Sequence, residues 1–195
     1  LFQFHWPGRR SARIGERRST PRQTAEEVTD NMADCLHALE AEQRRGTIRA
    51  FGVCNETAWG VARWRDLAQG RDIHGPVSIQ NEYSLLCRGF ETDLAELCLY
   101  DRISLIASAP LASGLLTGKY GVGKRPEGGR LLQQDNYIKR YANPVYYEIA
   151  DRFVQYANDQ GVHPATLALA WVMGSEDVTA PIIGGRDLDQ LQPSL

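Results

Sequence analysis

Short apolar runs alternate with longer amphipathic ones along the whole sequence, and this pattern limits the fold more than any other feature. Runs at 1–5, 48–53, 77–80, 103–107 and 178–183 have the length and composition of strands. Between the first two, the segment 24–45 spaces Val28, Met32, Cys35, Leu36 and Leu39 onto one helical face. Thr24 and Glu27 stand at capping-box spacing at its start, and Gly46 closes it. Segments 57–69, 92–100, 145–158 and 164–173 predict further helices, and Gly75-Pro76 opens the third strand. Strands joined through helical crossovers pair in parallel, because a tight hairpin cannot join parallel neighbours. The class predicted is α/β, as an open doubly wound sheet or as part of a (β/α)8 barrel. The first strand is not followed by the GxGxxG phosphate turn of a dinucleotide-binding sheet, which favours the barrel.

With 195 residues, 43% of them hydrophobic, the chain has enough apolar material for one sizeable core, and 1–195 reads as a single domain. Charged residues make up 24% and no apolar run approaches the roughly 18 residues needed to cross a bilayer, so no membrane partner is expected. The 22 Lys and Arg against 24 Asp and Glu leave a net charge of −2. That balance lacks the global positive field of a nucleic-acid coat, so an anionic ligand needs a local site. Cys35, Cys54, Cys87 and Cys98 match neither a CxxC pair nor a zinc ligand set, so no metal is expected. They read as reduced, mostly buried thiols of a cytoplasmic protein. Six arginines between Arg9 and Arg22, without interleaved aromatics, predict a solvated loop rather than a nucleic-acid contact.

Polar residues gather at the carboxyl ends of the apolar runs: His5-Trp6, Cys54-Asn55, Gln80-Asn81, Ser108 and Gly184-Gly185-Arg186. In a parallel barrel these ends share the face on which barrel enzymes carry their chemistry. Gly184 to Asp187 precede a helical pattern in Leu188 and Leu191, so backbone N–H groups and one guanidinium predict an anion site there. Gly114 to Lys119 has too few residues between its glycines for a nucleoside-triphosphate loop, and Tyr120 stands where that loop needs Ser or Thr.

The runs LFQFHWP, IRAFGVCNETAWGVARW, VSIQNEYSLLCRGFE, LIASAPLASGLLTGKY, HPATLALAWVMG and APIIGGRDLDQL, in that order from Leu1 to Leu195, resemble the aldo-keto reductase family, and within it the Tas-like subgroup. The resemblance implies a (β/α)8 barrel and NADPH-dependent reduction of a small-molecule aldehyde or ketone. It implies His5 as the one member present of the family's Asp, Tyr, Lys and His tetrad, where an imidazole at the barrel mouth polarises a carbonyl oxygen. Trp6 would line the substrate pocket, while Asn55 and Gln80 would hold the nicotinamide carboxamide, which needs both a donor and an acceptor. Ser108 stands where relatives carry an aromatic that stacks on the nicotinamide. Leu111, Ser113 and Lys119 would touch the pyrophosphate, Gly184, Gly185 and Arg186 the 2′-phosphate, and Gln190 and Ser194 the adenosine end. The basic, Gly-rich stretch 121–141 would form a lid, and Tyr83 would serve as packing.

A barrel of about 250 residues has eight strands, whereas five are found here. Three N-terminal βα units, with the tetrad's Asp, Tyr and Lys, are therefore expected to lie outside this chain, the last helix to be cut at Leu195, and residues 1–195 alone to be inactive. A second reading is a non-catalytic nucleotide-binding regulatory protein of the same fold, motivated by Ser108. The sequence leaves the substrate, the reaction direction and the oligomeric state open.

Overall fold

A computed structural model describes residues 1–11, 23–69, 71 and 73–195. Most of the arginine-rich stretch predicted as a loop lies outside the described residues. Five strands form one sheet in the order β1 (Phe2–Phe4), β2 (Phe51–Cys54), β3 (Ser78–Glu82), β4 (Ser104–Ser108) and β5 (Val178–Pro181). The β1–β2 and β2–β3 pairs are parallel. Strand order follows chain order without a reversal, as in a singly wound βα array and unlike a doubly wound sheet. The residue contacts divide into two compact units, one of Leu1–Asn81 with Phe90–Ile106 and one of Glu82–Gly89 with Ala107–Leu195.

In the first unit, helix α1 (Ala25–Arg44) opens with the predicted capping box: Thr24 Oγ1 accepts from the Glu27 amide at 3.1 Å, and the Thr24 amide donates to Glu27 Oε2 at 2.7 Å. Its buried stripe is Val28, Met32, Leu36 and Leu39, with Cys35 only half-buried. Helices α2 (Ala58–Ala68) and α3 (Leu94–Asp101) follow the second and third strands. Registers Phe4↔Val53 and Val53↔Ile79 put apolar side chains on the helix side. There Phe4 stacks on Trp64 with ring centroids 5.5 Å apart, and Phe51, Val61 and Ile79 are fully buried. Burying each such side chain is worth about 1.5–3 kcal/mol. On the opposite face Gln3 Nε2 donates to Ser78 Oγ at 3.3 Å across Gly52, whose missing Cβ leaves the room. The second strand starts at Phe51 rather than at Ile48, because β1 offers a partner only over Phe2–Phe4 and the ladder begins there.

The second unit contains α4 (Arg130–Gln133), α5 (Asp135–Arg140), α6 (Val145–Asp159), α7 (Pro164–Met173) and α8 (Leu188–Leu191). Its core joins Ala112, Leu115, Leu116, Tyr120, Leu131, Tyr141, Ala150 and Ala168. β5 ends at Pro181, which has no N–H to give, yet the Ile182 amide still donates to Ala107 at 2.8 Å. Two short helices occupy the stretch 121–141, where no element was predicted. Cys54 and Cys98 are buried and Cys87 is half-buried, so the thiols are less uniformly enclosed than expected.

Candidate functional site

In the first unit three of the sequence-predicted residues come together, two at strand ends and Gln80 inside β3, which runs on to Glu82 rather than ending at 80. His5 follows β1, Asn55 follows β2, and Gln80 lies in β3 opposite Cys54. Asn55 adopts φ 55°, a left-handed conformation that asparagine tolerates better than most residues. This turn lets its amide donate to the Gln80 carbonyl at 3.0 Å and its Nδ2 donate to the His5 carbonyl at 2.9 Å. The Asn55 side chain therefore ties the two strand-end loops together. Trp6 lies beside His5, with ring centroids 5.8 Å apart, and lines a cavity with Phe4, Arg9, Met32, Cys54 and Trp64. Burial raises the Cys54 thiol pKa, which keeps the thiol protonated and weakly nucleophilic.

In the second unit the β4 end continues into a loop with an unusual backbone. Ala109, Ala112 and Ser113 have φ of 51°, 48° and 57°, and Gly114 and Gly118 have 98° and 86°. Three non-glycine residues in the left-handed region cost about 1–2 kcal/mol each, and such strain concentrates at ligand-holding loops. Ser108 is half-buried, and its carbonyl accepts from the Tyr83 amide at 3.1 Å. Leu111 is half-buried beside the unit's core cluster. Ser113 Oγ is buried and has no hydrogen-bond partner among the described residues, and the same holds for Ser194 Oγ. A Cβ on Gly114 would lie 2.7 Å from Lys119 Cε, so glycine there admits the lysine side chain.

Lys119, Arg130 and Arg186 form a cationic group, and none of them has an ion pair with a carboxylate among the described residues. Partial burial, followed by the guanidinium groups of Arg186 and Arg130, lowers the Lys119 pKa below the ordinary lysine value. Gly184 and Gly185 precede Arg186 in an exposed turn. Asp187 caps α8 by accepting from the Gln190 amide at 2.9 Å, and Gln190 Nε2 donates to the same carboxylate at 2.9 Å. The cationic side chains, rather than the end of a four-residue helix, thus dominate any attraction of an anion here. Among the described residues no group of three or more His, Cys, Asp or Glu gathers as a metal-holding set, and no helix is long and apolar enough to cross a membrane.

The sequence model of the aldo/keto reductase family matches residues 1–195, the whole chain. The chain belongs to that family. It is 38% identical to Protein tas of Escherichia coli (strain K12) over 195 residues, covering all of this chain and 56% of Tas. An aldo-keto reductase of Babesia bovis is 35% identical, with 100% of this chain and 72% of that protein covered. A protein named as a probable voltage-gated potassium channel subunit beta in Arabidopsis thaliana is 33% identical over 166 residues, covering 76% of this chain and 50% of its own length. The chain spans little more than half the length of Tas. The family implies a (β/α)8 barrel, and a parallel five-stranded sheet in chain order is consistent with part of one.

Sequence reasoning missed two features of this chain. Arg130 joins the cationic group from α4, where a lone Arg after Gly128-Gly129 gave no periodic signal. The second is a buried polar cluster around Glu82, the charged residue inside the QNEYSLL motif. Tyr141 Oη donates to Glu82 Oε1 at 2.7 Å, and Arg140 Nη1 lies 3.4 Å from Oε2. Tyr83, predicted as packing, is buried, stacks on Trp171 and contacts Ser175 Oγ through its hydroxyl at 3.3 Å. Burial pushes the Glu82 carboxyl pKa up, opposed by Arg140 and Tyr141, and burial with the Glu82 charge pushes the Cys87 thiol up to about 11. The folded chain therefore binds the Glu82 proton more tightly than the unfolded chain does. The Glu82 contribution is most favourable below the unfolded value of 4.5 and declines as pH rises from there through the raised folded value. Urea titrations across that window are expected to show this slope in the parent protein and a flatter one in Glu82→Gln. Identical slopes would reject the assignment.

Proposed function

We propose that the complete protein is a cytoplasmic, NADPH-dependent oxidoreductase that reduces the carbonyl of a small aldehyde or ketone to an alcohol, with residues 1–195 part of a single barrel domain. The observation carrying this reading is the cationic group of Lys119, Arg130 and Arg186, set in the same unit as the buried hydroxyls of Ser113 and Ser194, which have no hydrogen-bond partner among the described residues. These are the donors that a phosphorylated, hydroxyl-rich nucleotide requires. When bound, NADPH supplies a hydride.

The chain's own residues bind and orient. Arg186, with Gly184 and Gly185, holds the 2′-phosphate, and Arg130 adds a second guanidinium. Leu111, Ser113 and Lys119 serve the pyrophosphate, and Gln190 and Ser194 the adenosine end. Asn55 and Gln80 orient the carboxamide, and Ser108 takes the position at which relatives carry the aromatic for the nicotinamide ring. The His5 imidazole holds and polarises the substrate oxygen at the wall made by Trp6, and the proton comes from a tyrosine outside residues 1–195.

Loss of NADPH absorbance with a panel of aldehydes and ketones tests the reading. In the complete protein His5→Gln is expected to lower kcat by about 10²–10⁴-fold, the usual weight of a positioned acid–base group, and residues 1–195 alone should not turn over. NADPH neither bound nor oxidised by the complete protein would overturn it. A second reading, a nucleotide-binding regulatory subunit, is favoured by Ser108 and by the potassium-channel name of the Arabidopsis relative. Tight NADPH binding without turnover would select it.

A further inference from the structure

A buried ion pair joins the two loops that carry His5 and Asn55. Arg9, four residues after His5, donates through Nη1 to Glu56 Oε1 at 2.9 Å and through Nη2 to Glu56 Oε2 at 2.6 Å. Glu56 directly follows Asn55 and is 4% exposed. Its carboxylate also accepts from the Thr57 amide at 2.9 Å and from Trp64 Nε1 at 3.3 Å, while Arg9 Nη2 donates to Thr57 Oγ1 at 3.1 Å. The Glu56 carbonyl accepts from Asn81 Nδ2 at 3.0 Å, which brings in the residue after Gln80. The Arg9 guanidinium lies over the Trp59 ring, 5.0 Å from its centroid. A Cβ on Gly60 would overlap both the Glu56 carboxylate and the Arg9 guanidinium, so glycine in the first turn of α2 leaves the space in which the pair closes.

We infer that the bidentate Arg9–Glu56 pair, closed over Gly60, is a clamp that positions His5, Asn55 and Gln80 relative to one another, making Arg9, Glu56 and Gly60 positioning residues. A buried ion pair adds little net stability compared with apolar packing, but its fork geometry specifies one arrangement of the loops that it joins. Here those two loops end β1 and β2 and carry His5 and Asn55, and the Glu56 carbonyl is bonded to Asn81 of β3, the neighbour of Gln80. The Asn55–His5 bond holds the β1 loop at one point. The Arg9 fork adds a second attachment four residues further on.

As a statement about catalysis the inference rests on the proposed reductase reading; as a statement about loop geometry it does not. Gly60→Ala is the chosen variant, because alanine favours the helix while its methyl group displaces the pair; Glu56→Gln, which keeps volume and removes charge, is the second. In the complete protein labelled at histidine, with the His5 ring signal identified by its loss in His5→Gln, both variants are expected to shift and broaden that signal. The signals of His37 and His163 should stay near those of the parent, while the melting temperature falls in Glu56→Gln, where Arg9 loses its countercharge, and less in Gly60→Ala. With turnover as readout, kcat should fall about a hundredfold, as for a misplacement near 1 Å, while NADPH affinity, held by the phosphate contacts of the second unit, is retained. Arg9→Lys, which keeps the charge and loses the fork, should fall between. An unmoved His5 signal in both variants, or movement of all histidine signals together, overturns the clamp. A parent protein that neither binds nor oxidises NADPH defeats the reductase reading instead, and the His5 signal still decides the clamp.

Discussion

Arg186→Ala in the complete protein is expected to weaken NADPH binding by about 10- to 100-fold and to leave NADH binding nearly unchanged. Arg186 is exposed, lacks a carboxylate partner among the described residues, and stands near enough to Lys119 to lower its pKa. A cation whose neighbours are other cations raises the folded state's energy until an anion arrives. Binding a 2′-phosphate would relieve that repulsion and also form a bidentate, charge-assisted contact. Such a contact is worth about 1.5–3 kcal/mol, from which the fold-change follows. NADH lacks the 2′-phosphate and gives the control. Arg186→Lys should recover only part of the affinity, because a point charge replaces a planar fork. Raising the salt concentration should shrink the NADPH preference. Calorimetric titration with both nucleotides measures all of this. Equal loss of the two, or loss of neither, would place the 2′-phosphate elsewhere.

Tyr120→Ala is expected to cost about 3–5 kcal/mol of folding stability, the usual penalty for emptying a large aromatic site. Tyr120 is the largest fully buried side chain among the described residues and packs with Leu115, Leu116, Leu131 and Tyr141. Its hydroxyl accepts from the Leu131 amide at 3.3 Å, and a Cβ on Gly129 would come within 2.6 Å of that oxygen. The ring thus supports α4, the helix that carries Arg130. Tyr120→Phe keeps the ring and leaves the Leu131 amide unpaired, at a cost of about 1 kcal/mol for so long a bond. Lys119 Nζ lies 5.2 Å from the same ring, so Tyr120→Ala should also loosen the cationic group and reduce NADPH binding. Urea unfolding of both variants separates packing from hydrogen bonding. Equal losses for Ala and Phe would contradict the packing account.

The order of strands and helices could be read from the sequence because each element satisfies its backbone locally or against the next strand in the chain. The α1 stripe and its Thr24–Glu27 box are spacing patterns, and spacing survives folding unchanged. Strand ends were less legible: β2 loses residues 48–50 because a strand lasts only as long as its partner, and β1 is three residues long. The site candidates His5, Asn55 and Gln80 came from their positions at strand ends together with family resemblance, and the structure groups them. Their support did not show in the sequence. Glu56 reads there as a helix-start acid and Arg9 as one of six arginines, and nothing local distinguishes them.

By itself, then, the sequence determined the α/β class, the chain-order succession of elements, the family and the residues at the strand ends, all of which follow from local periodicity and motif. Tertiary structure alone decided that Arg9 closes on Glu56 above Gly60, that Tyr141 reaches Glu82 across 59 positions, and that Arg130 joins Lys119 and Arg186. The first two depend on groups far apart in the chain meeting away from water, where a charge must find its opposite, and the third on exposed cations brought together from distant parts of the chain.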